Sequence, residues 1–170
     1  MTSDLAKPRR LHSFEDTLDD LEYLSRQHLL AFRIGAGRVL LRDCFDGDPR
    51  GYLDRNPRKM ARFTHFVAEH GDTLARYGLS EHTGREAIVC HIVFEALPVT
   101  VRDALFYSQI LELSRLHDPT RRAELAQAAL QFDWGVRELR DAVHAVKAGL
   151  PFSDDPKLLM APPPAPLPKG

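Results

Sequence analysis

The sequence predicts an all-α protein, and three observations support that class. Apolar residues recur at helical spacing along most of the 170 residues, beginning with Phe14, Leu18, Leu21 and Leu24. Residues typical of helix caps and turns separate the apolar runs. No segment alternates apolar and polar residues as a half-buried strand does. We therefore expect a long N-terminal helix packed on a compact multi-helix domain that contains a helix-turn-helix-like hairpin.

Composition divides the chain into three parts. Residues 1–12 are polar and weakly basic, which predicts a disordered arm. Residues 13–150 carry the helical pattern and predict a single domain. Residues 151–170 contain six prolines from Pro156 onward, which is typical of a flexible or polyproline-like tail.

The first predicted helix begins at Ser13, where Ser13 and Asp16 form a pattern similar to a capping box. Acidic residues crowd its first turns, where they suit the positive end of the helix dipole. The apolar pattern continues to Leu41. Gly35 and Gly37 fall inside this pattern, so we expect them to mark a close contact or a bend rather than a helix end.

A basic segment follows the turn predicted at residues 46–49. Five of its side chains are cationic and only Asp54 is acidic, so the segment is suited to contacting phosphates without reading sequence. The candidate phosphate contacts are Arg50, Arg55, Arg58, Lys59 and Arg62. The alternative is a solvated loop whose arginines pair with the acidic start of the first helix.

The next two predicted helices have the layout of a helix-turn-helix. One runs from about Arg58 to Tyr77 and closes at Gly78, and Ser80 caps a second over residues 81–97, which stops at Pro98. In such motifs the start of the second helix enters the major groove. The candidate contacts to base edges are His82, Thr83 and Arg85. The alternative is an ordinary helical hairpin that uses glycine only to turn.

Four further helices are expected in the C-terminal half. They are predicted over residues 99–105, over residues 108–116, from Pro119 to the break at residues 133–135, and from Val136 to Gly149. Basic residues on the last two alternate with acidic ones, which is typical of a solvated mixed face. These are Arg121, Arg122, Arg137, Arg140 and Lys147. Trp134 is expected to fill the core between the same two helices.

Bulk charge and cysteine content narrow the function classes. The formal net charge of −1 means that any DNA contact depends on a local basic patch. Cys44 and Cys90 lie in apolar helical contexts and predict free thiols in a reducing, cytoplasmic compartment. The polar N-terminus predicts no signal peptide, and no apolar run is long enough to predict a membrane span.

No motif predicts catalysis, a cofactor or a metal site. His65 and His70 are five residues apart and miss the i, i+4 spacing of helical zinc ligands. Gly35 and Gly37 lack the third glycine and the preceding strand of a dinucleotide-binding loop. We therefore expect no enzyme activity, no cofactor and no metal.

Short motifs carry a resemblance to a known family. Residues 74–105 resemble the central helical domain of ParB-type partition proteins, which has a glycine-serine turn, a second helix and a leucine-proline step. Gly78, Ser80, Leu97 and Pro98 match it. Residues 118–143 are similar to the closing part of that domain. They also resemble the helical N-terminal domain of some uncharacterised nucleases. The matching positions there are Trp134, Val136, Arg137 and Leu139. The resemblance implies a DNA-binding-like fold and gives no support for nucleotide hydrolysis or cleavage.

These observations predict a non-enzymatic DNA-binding or DNA-associated regulatory protein. The expected partner is DNA, with a homodimer formed through the first helix because paired half-sites suit such motifs. The alternative is a helical protein-interaction module or adaptor whose tail, residues 161–168, docks in an aromatic groove on a protein partner. No membrane contact is expected.

Overall fold

The computed structural model describes the backbone of residues 14–150 and the side chains of residues 28–150. The predicted arm and proline-rich tail lie outside these residues. Eight helices and no strand are found in the described part of the chain, so the all-α class is confirmed. The helices are α1 Phe14–Phe45, α2 Pro49–Leu53, α3 Pro57–Arg76, α4 Glu81–Ala96, α5 Val99–Arg102, α6 Tyr107–Leu113, α7 Pro119–Gln131 and α8 Val136–Lys147.

The close approach of α1 to α4 organises the domain. With 32 residues, α1 is about 48 Å long, and its main packing partner is α4. The two backbones meet at Gly37, where an added Cβ would lie 2.0 Å from the carbonyl oxygen of Ala87 and 2.8 Å from the Cβ of His91. Only glycine fits this position without separating the helices. Of the close contact or bend expected at the two glycines, the close contact is found at Gly37, whereas Gly35 faces open space.

The buried apolar side chains form two clusters that α1 and α4 both join. The larger cluster is built mainly from α4 to α8 and includes Leu30 and Ile34 of α1. The smaller one contains Phe45 from the end of α1, Phe63 from α3 and Ile88 from α4. The predicted long helix thus packs on the compact domain along its C-terminal half.

Three helices begin with the same two-residue pattern, in which a side chain accepts backbone N–H groups and a proline follows. The pairs are Asp48 and Pro49, Asn56 and Pro57, and Asp118 and Pro119. The capping side chain satisfies N–H donors that have no partner within the helix. Proline costs nothing at this position because its missing N–H would have no helical partner.

The junction between α3 and α4 has the predicted order of elements. Gly78 adopts a φ of 67°, and the N–H of Leu79 donates to the Leu74 carbonyl at 2.9 Å, which closes α3. Ser80 then caps α4 through reciprocal hydrogen bonds with Thr83. The predicted helix, glycine turn, serine cap and second helix are therefore confirmed. Both helices pack on α1. The hairpin is therefore held together through α1 and not by contacts between α3 and α4 alone.

Several predicted boundaries are wrong. The basic segment after Pro49 contains a short helix, α2, and then a turn at Arg55 with a φ of 51°. Helix α5 ends at Arg102 rather than Leu105, although Leu105 is fully buried. A turn can bury an apolar residue as well as a helix can, so spacing alone extended the prediction too far.

Substitution of Gly37 tests the α1–α4 contact. We expect Gly37→Ala to lower the free energy of unfolding by about 1–3 kcal/mol, because the new methyl group collides with backbone atoms of α4. The matched control is Gly35→Ala, which should leave stability unchanged or raise it by up to about 1 kcal/mol through helix propensity. Urea denaturation followed by circular dichroism measures both. Equal effects of the two variants would contradict the tight crossing.

Stability should also depend on pH through His91, which lies at the same crossing. Burial disfavours the imidazolium and holds the pKa of His91 below its usual 6.5; Glu95 opposes the shift, and Arg38 adds to it. The unfolded state therefore takes up this proton at a higher pH than the folded state does. The stabilisation is complete above pH 6.5 and is lost as the pH falls below it.

Unfolding free energies measured at several pH values, in the native chain and in His91→Gln, check this expectation. We expect the native chain to lose more stability than the variant between neutral and mildly acidic pH. Identical pH profiles would show that His91 is not protonated on unfolding.

Candidate nucleic-acid interface

The two predicted groups of site residues lie on neighbouring elements. The Tyr52 hydroxyl on α2 donates to the Arg85 carbonyl on α4 at 3.1 Å. The Arg85 guanidinium lies 5.3 Å from the centre of the Phe63 ring on α3. These contacts hold α2 and α3 against the first turns of α4. The basic segment and the start of α4 therefore belong to one region of the surface.

Lys59 has several partners within the fold. Its Nζ donates to the Phe45 carbonyl at 3.1 Å and to Asp48 Oδ2 at 3.3 Å, and it lies 3.5 Å from Asp46 Oδ2. Only 22% of the side chain is exposed. Lys59 thus places a positive charge at the C-terminal end of α1, where the helix dipole favours a cation. Its predicted contact with phosphate stays a prediction.

Arg62 reinforces the same helix end. Its Nη1 pairs with Asp46 Oδ1 at 2.9 Å, and its Nη2 donates to the Asp43 carbonyl. The hydrogen bond from Arg62 holds the pKa of Asp46 below its usual value. The charge of Arg62 is therefore partly compensated within the fold, although about half of its side chain is exposed.

Arg50, Arg55 and Arg58 differ from these two cations. All three are exposed, and their side chains make no ion pair or hydrogen bond with residues that the structure describes. They lie on α2, in the turn after it, and on the first turn of α3. These guanidinium groups can meet an external anion without first breaking an internal contact.

Thr83 and Arg85 are engaged within the first turns of α4. The Thr83 hydroxyl accepts the Ser80 N–H at 2.7 Å as part of the cap. Arg85 donates from Nη2 to Glu81 Oε1 at 2.6 Å, and its side chain is one-third exposed. Any base contact by Arg85 competes with this pair.

His82 is the most exposed of the three candidate base contacts. Its side chain is 80% exposed, and its Nε2 lies 3.2 Å from Glu86 Oε1. Histidine can present donors or an acceptor depending on its protonation. The surface at the start of α4 therefore carries both acidic and basic side chains and is not wholly basic. These side chains are Glu81, His82, Arg85 and Glu86.

Sequence spacing did not reveal an ion-pair network between α6 and α8 that is centred on a buried glutamate. Glu112 is only 4% exposed at its side chain and accepts two hydrogen bonds from Arg140, at 3.0 and 2.8 Å. Arg115 lies 3.3 Å from its other oxygen. Arg140 therefore anchors α8 to α6, and the expectation of a merely solvated face is wrong for it. Glu112 and Arg140 are 28 residues apart in the sequence, so no local sequence pattern indicates that they pair.

Polar atoms of three further side chains are buried where α1, α4 and α6 meet. They belong to Arg33, Cys90 and Tyr107. Burial raises the pKa of the Cys90 thiol to about 12, and it also raises the pKa of Tyr107. Nε and Nη1 of Arg33 are buried without a hydrogen-bond partner in the described part of the chain. At neutral pH Cys90 remains a protonated thiol, so it behaves as a small apolar side chain and not as a nucleophile.

A cleft of about 530 Å³ lies between the start of α6 and the turn before α8. Its lining includes Leu29, Tyr107, Asp133, Trp134 and Val136. One wall is fixed by the Gln109 side-chain amide, which donates to the Trp134 carbonyl at 2.9 Å. The cleft thus combines aromatic and aliphatic walls with a carboxylate at its rim. Trp134 is 5% exposed, as expected for a residue of the core.

Residues 28–150 contain no group of three or more His, Cys, Asp or Glu side chains placed to hold a metal ion. None of the described helices is both long enough and apolar enough to cross a membrane.

No known protein-family model, curated protein or solved structure matches the chain. The resemblance of residues 74–105 to ParB-type partition proteins therefore stays a prediction.

Removal of the Lys59 charge tests whether this residue stabilises the fold. We expect Lys59→Met to lower the free energy of unfolding by about 1–2 kcal/mol, because the Phe45 carbonyl and Asp48 lose a charged donor. The matched control is Arg58→Met, on the same turn of α3 but without an internal partner, which should change stability by less than about 0.5 kcal/mol. Chemical denaturation measures both. Similar losses of unfolding free energy in the two variants would contradict the conclusion that Lys59 is bound within the fold while Arg58 is free.

Proposed function

We propose that the chain is a non-enzymatic DNA-binding or DNA-associated regulatory protein that holds phosphates chiefly through Arg50, Arg55 and Arg58. The observation that carries the proposal is the exposure of these three guanidinium groups without an internal anion among the described residues. Arginine binds phosphate oxygens through charged, often bidentate hydrogen bonds. Three such groups on one short segment form the local basic patch that a protein of near-neutral charge needs.

The connection between α2 and α4 supports the same proposal. Because Tyr52 is bonded to the Arg85 carbonyl, phosphates held by the segment around α2 lie beside the start of α4. His82 is the most exposed of the candidate side chains there, and we assign it the approach to base edges. Thr83 and Arg85 shape this end of α4, and Arg85 contacts a base only when it leaves Glu81. Lys59 and Arg62 position the surface, and their charges are partly compensated by Asp46 and Asp48.

A binding role also agrees with the state of the two cysteines. Burial raises the pKa values of both Cys44 and Cys90, so neither is a thiolate at neutral pH. The buried carboxylate of Glu112 forms ion pairs with Arg115 and Arg140, and the second pair links α6 to α8. These groups have evident structural roles, which leaves the exposed cations as the candidate functional groups.

The cleft beside Trp134 favours a second candidate function, a protein-interaction module. Its aromatic and aliphatic walls suit an apolar or proline-rich peptide, and Asp133 at the rim suits a basic residue on that peptide. In this reading the hairpin is scaffold, and the proline-rich tail docks on a protein partner.

Fluorescence anisotropy with a labelled mixed-sequence duplex tests the DNA proposal. We expect binding at low salt that weakens as salt rises. A variant with Arg50, Arg55 and Arg58 all changed to Gln should bind at least about tenfold more weakly, with a log–log salt slope shallower by about 2.7. The charge-matched control changes Arg121, Arg137 and Lys147 to Gln and should retain most of the affinity.

Two outcomes would reject the proposal. One is the absence of binding by the native chain at low salt. The other is an equal loss of affinity in the two triple variants, which would indicate a response to net charge alone. Absence of DNA binding, together with a captured protein partner that is lost on deletion of residues 151–170, would favour the protein-interaction module.

A further inference from the structure

Helix α1 exposes apolar side chains on the side opposite its buried residues. Ile34 and Leu41 are buried against the domain. Phe32 and Val39, each two residues earlier and so on the opposite side of the helix, are 38% and 46% exposed. Leu29, at the edge of the same side, is 44% exposed. Helix α1 therefore has apolar residues on two opposite sides, and the described part of the chain covers only one of them.

The sequence has apolar residues at further positions on the same side of α1, towards its start. The helix is continuous from Phe14, and position 14 is five full turns before position 32. Positions 18 and 21 fall within about 40° of the same line, and the sequence has leucine at both. Together with position 36, an alanine, these positions define a stripe of about 22 residues and 33 Å.

The charges of α1 are separated along its length. Residues 14–25 contain five acidic residues and no basic one, whereas residues 26–42 contain four arginines, one histidine and no acidic residue. Two such helices side by side in parallel place like charges together. An antiparallel pair places the acidic half of each helix along the basic half of the other, which is the favourable arrangement.

A depression beside residues 28–32, in the C-terminal half of the stripe, provides a site for a side chain from another helix. It has a volume of about 410 Å³ and is lined by His28, Leu29, Phe32, Arg76 and Tyr77. Tyr77, at the end of α3, is 62% exposed and borders it. In an antiparallel pair centred near position 25, position 18 of one copy lies opposite position 32 of the other. That register brings a leucine to this depression.

We propose that α1 pairs with α1 of a second copy of this chain, antiparallel and through the stripe from position 14 to position 36. The pair has a two-fold axis near Ser25, so each copy offers the same surface to the other. This dimer goes beyond the proposed DNA-binding function and does not depend on it.

Sedimentation equilibrium of the full chain at several concentrations tests the pairing. We expect a reversible dimer of the native chain and a dissociation constant at least about tenfold higher for Phe32→Glu. The matched control is Val99→Glu on α5, where the native side chain is 58% exposed and lies outside the stripe. It should leave the dimer unchanged. A monomeric native chain, or equal effects of the two substitutions, would overturn the proposal.

Disulfide cross-linking tests the direction of the helices and covers the case in which Phe32→Glu does not fold. Leu18→Cys and Phe32→Cys chains are oxidised separately and as a mixture. The native Cys44 and Cys90 do not interfere because their exposed fractions are only 3% and 0%. Antiparallel pairing predicts a covalent dimer that forms mainly in the mixture. Dimers that form equally well in each separate sample would indicate parallel helices and would overturn the proposal. A dimer lost only on deletion of residues 151–170 would assign the interface to the tail instead.

Discussion

The backbone contact between Gly37 of α1 and Ala87 of α4 is the constraint on which the rest of the domain depends. It lets one long helix lie close enough to α4 to share both hydrophobic clusters, with Phe45 and Ile88 on one side and Ile34 and Val93 on the other. Gly84 of α4 lies beside the side chains of Leu40 and Phe63, where an added Cβ would make only ordinary van der Waals contacts, so the requirement for glycine at this crossing is specific to Gly37. The clusters are therefore two parts of one packed unit, because the same pair of helices passes through both.

The end of α1 decides how the basic segment is used. Its last carbonyls and the carboxylates that follow attract Lys59 and Arg62, which fixes the start of α3 beside α1. With those two cations engaged, the remaining arginines of the segment have no described internal partner and face outward. The same local chemistry thus stabilises the fold and leaves a smaller patch of free charge. The proposed phosphate contacts follow from this division rather than from the total charge of the segment.

Periodicity left open whether Gly35 and Gly37 mark a close contact or a bend, because the partner of Gly37 lies 50 residues away at Ala87. Periodicity and cap residues were enough to predict the fold class and the order of helices around Gly78 and Ser80. These features are local, because each depends on residues within a few positions of one another. The candidate site was harder to predict, since residue type shows that a side chain is cationic but not which oxygen it meets. Lys59 binds a carbonyl 14 residues earlier, and Arg140 binds a glutamate 28 residues earlier. Such pairings depend on the tertiary packing and have no signature in sequence spacing.

The place of Trp134 gives the molecule a built-in optical reporter. It is the single tryptophan of the chain, it is buried in the larger cluster, and its ring stacks with Phe132 at a centroid distance of 6.1 Å. It also lines the cleft between α6 and α8, whereas the free arginines lie around α2, beside the smaller cluster. A peptide entering the cleft would change the colour or intensity of its intrinsic emission. An anion held around α2 would leave that emission unchanged, so one optical signal distinguishes the two surfaces.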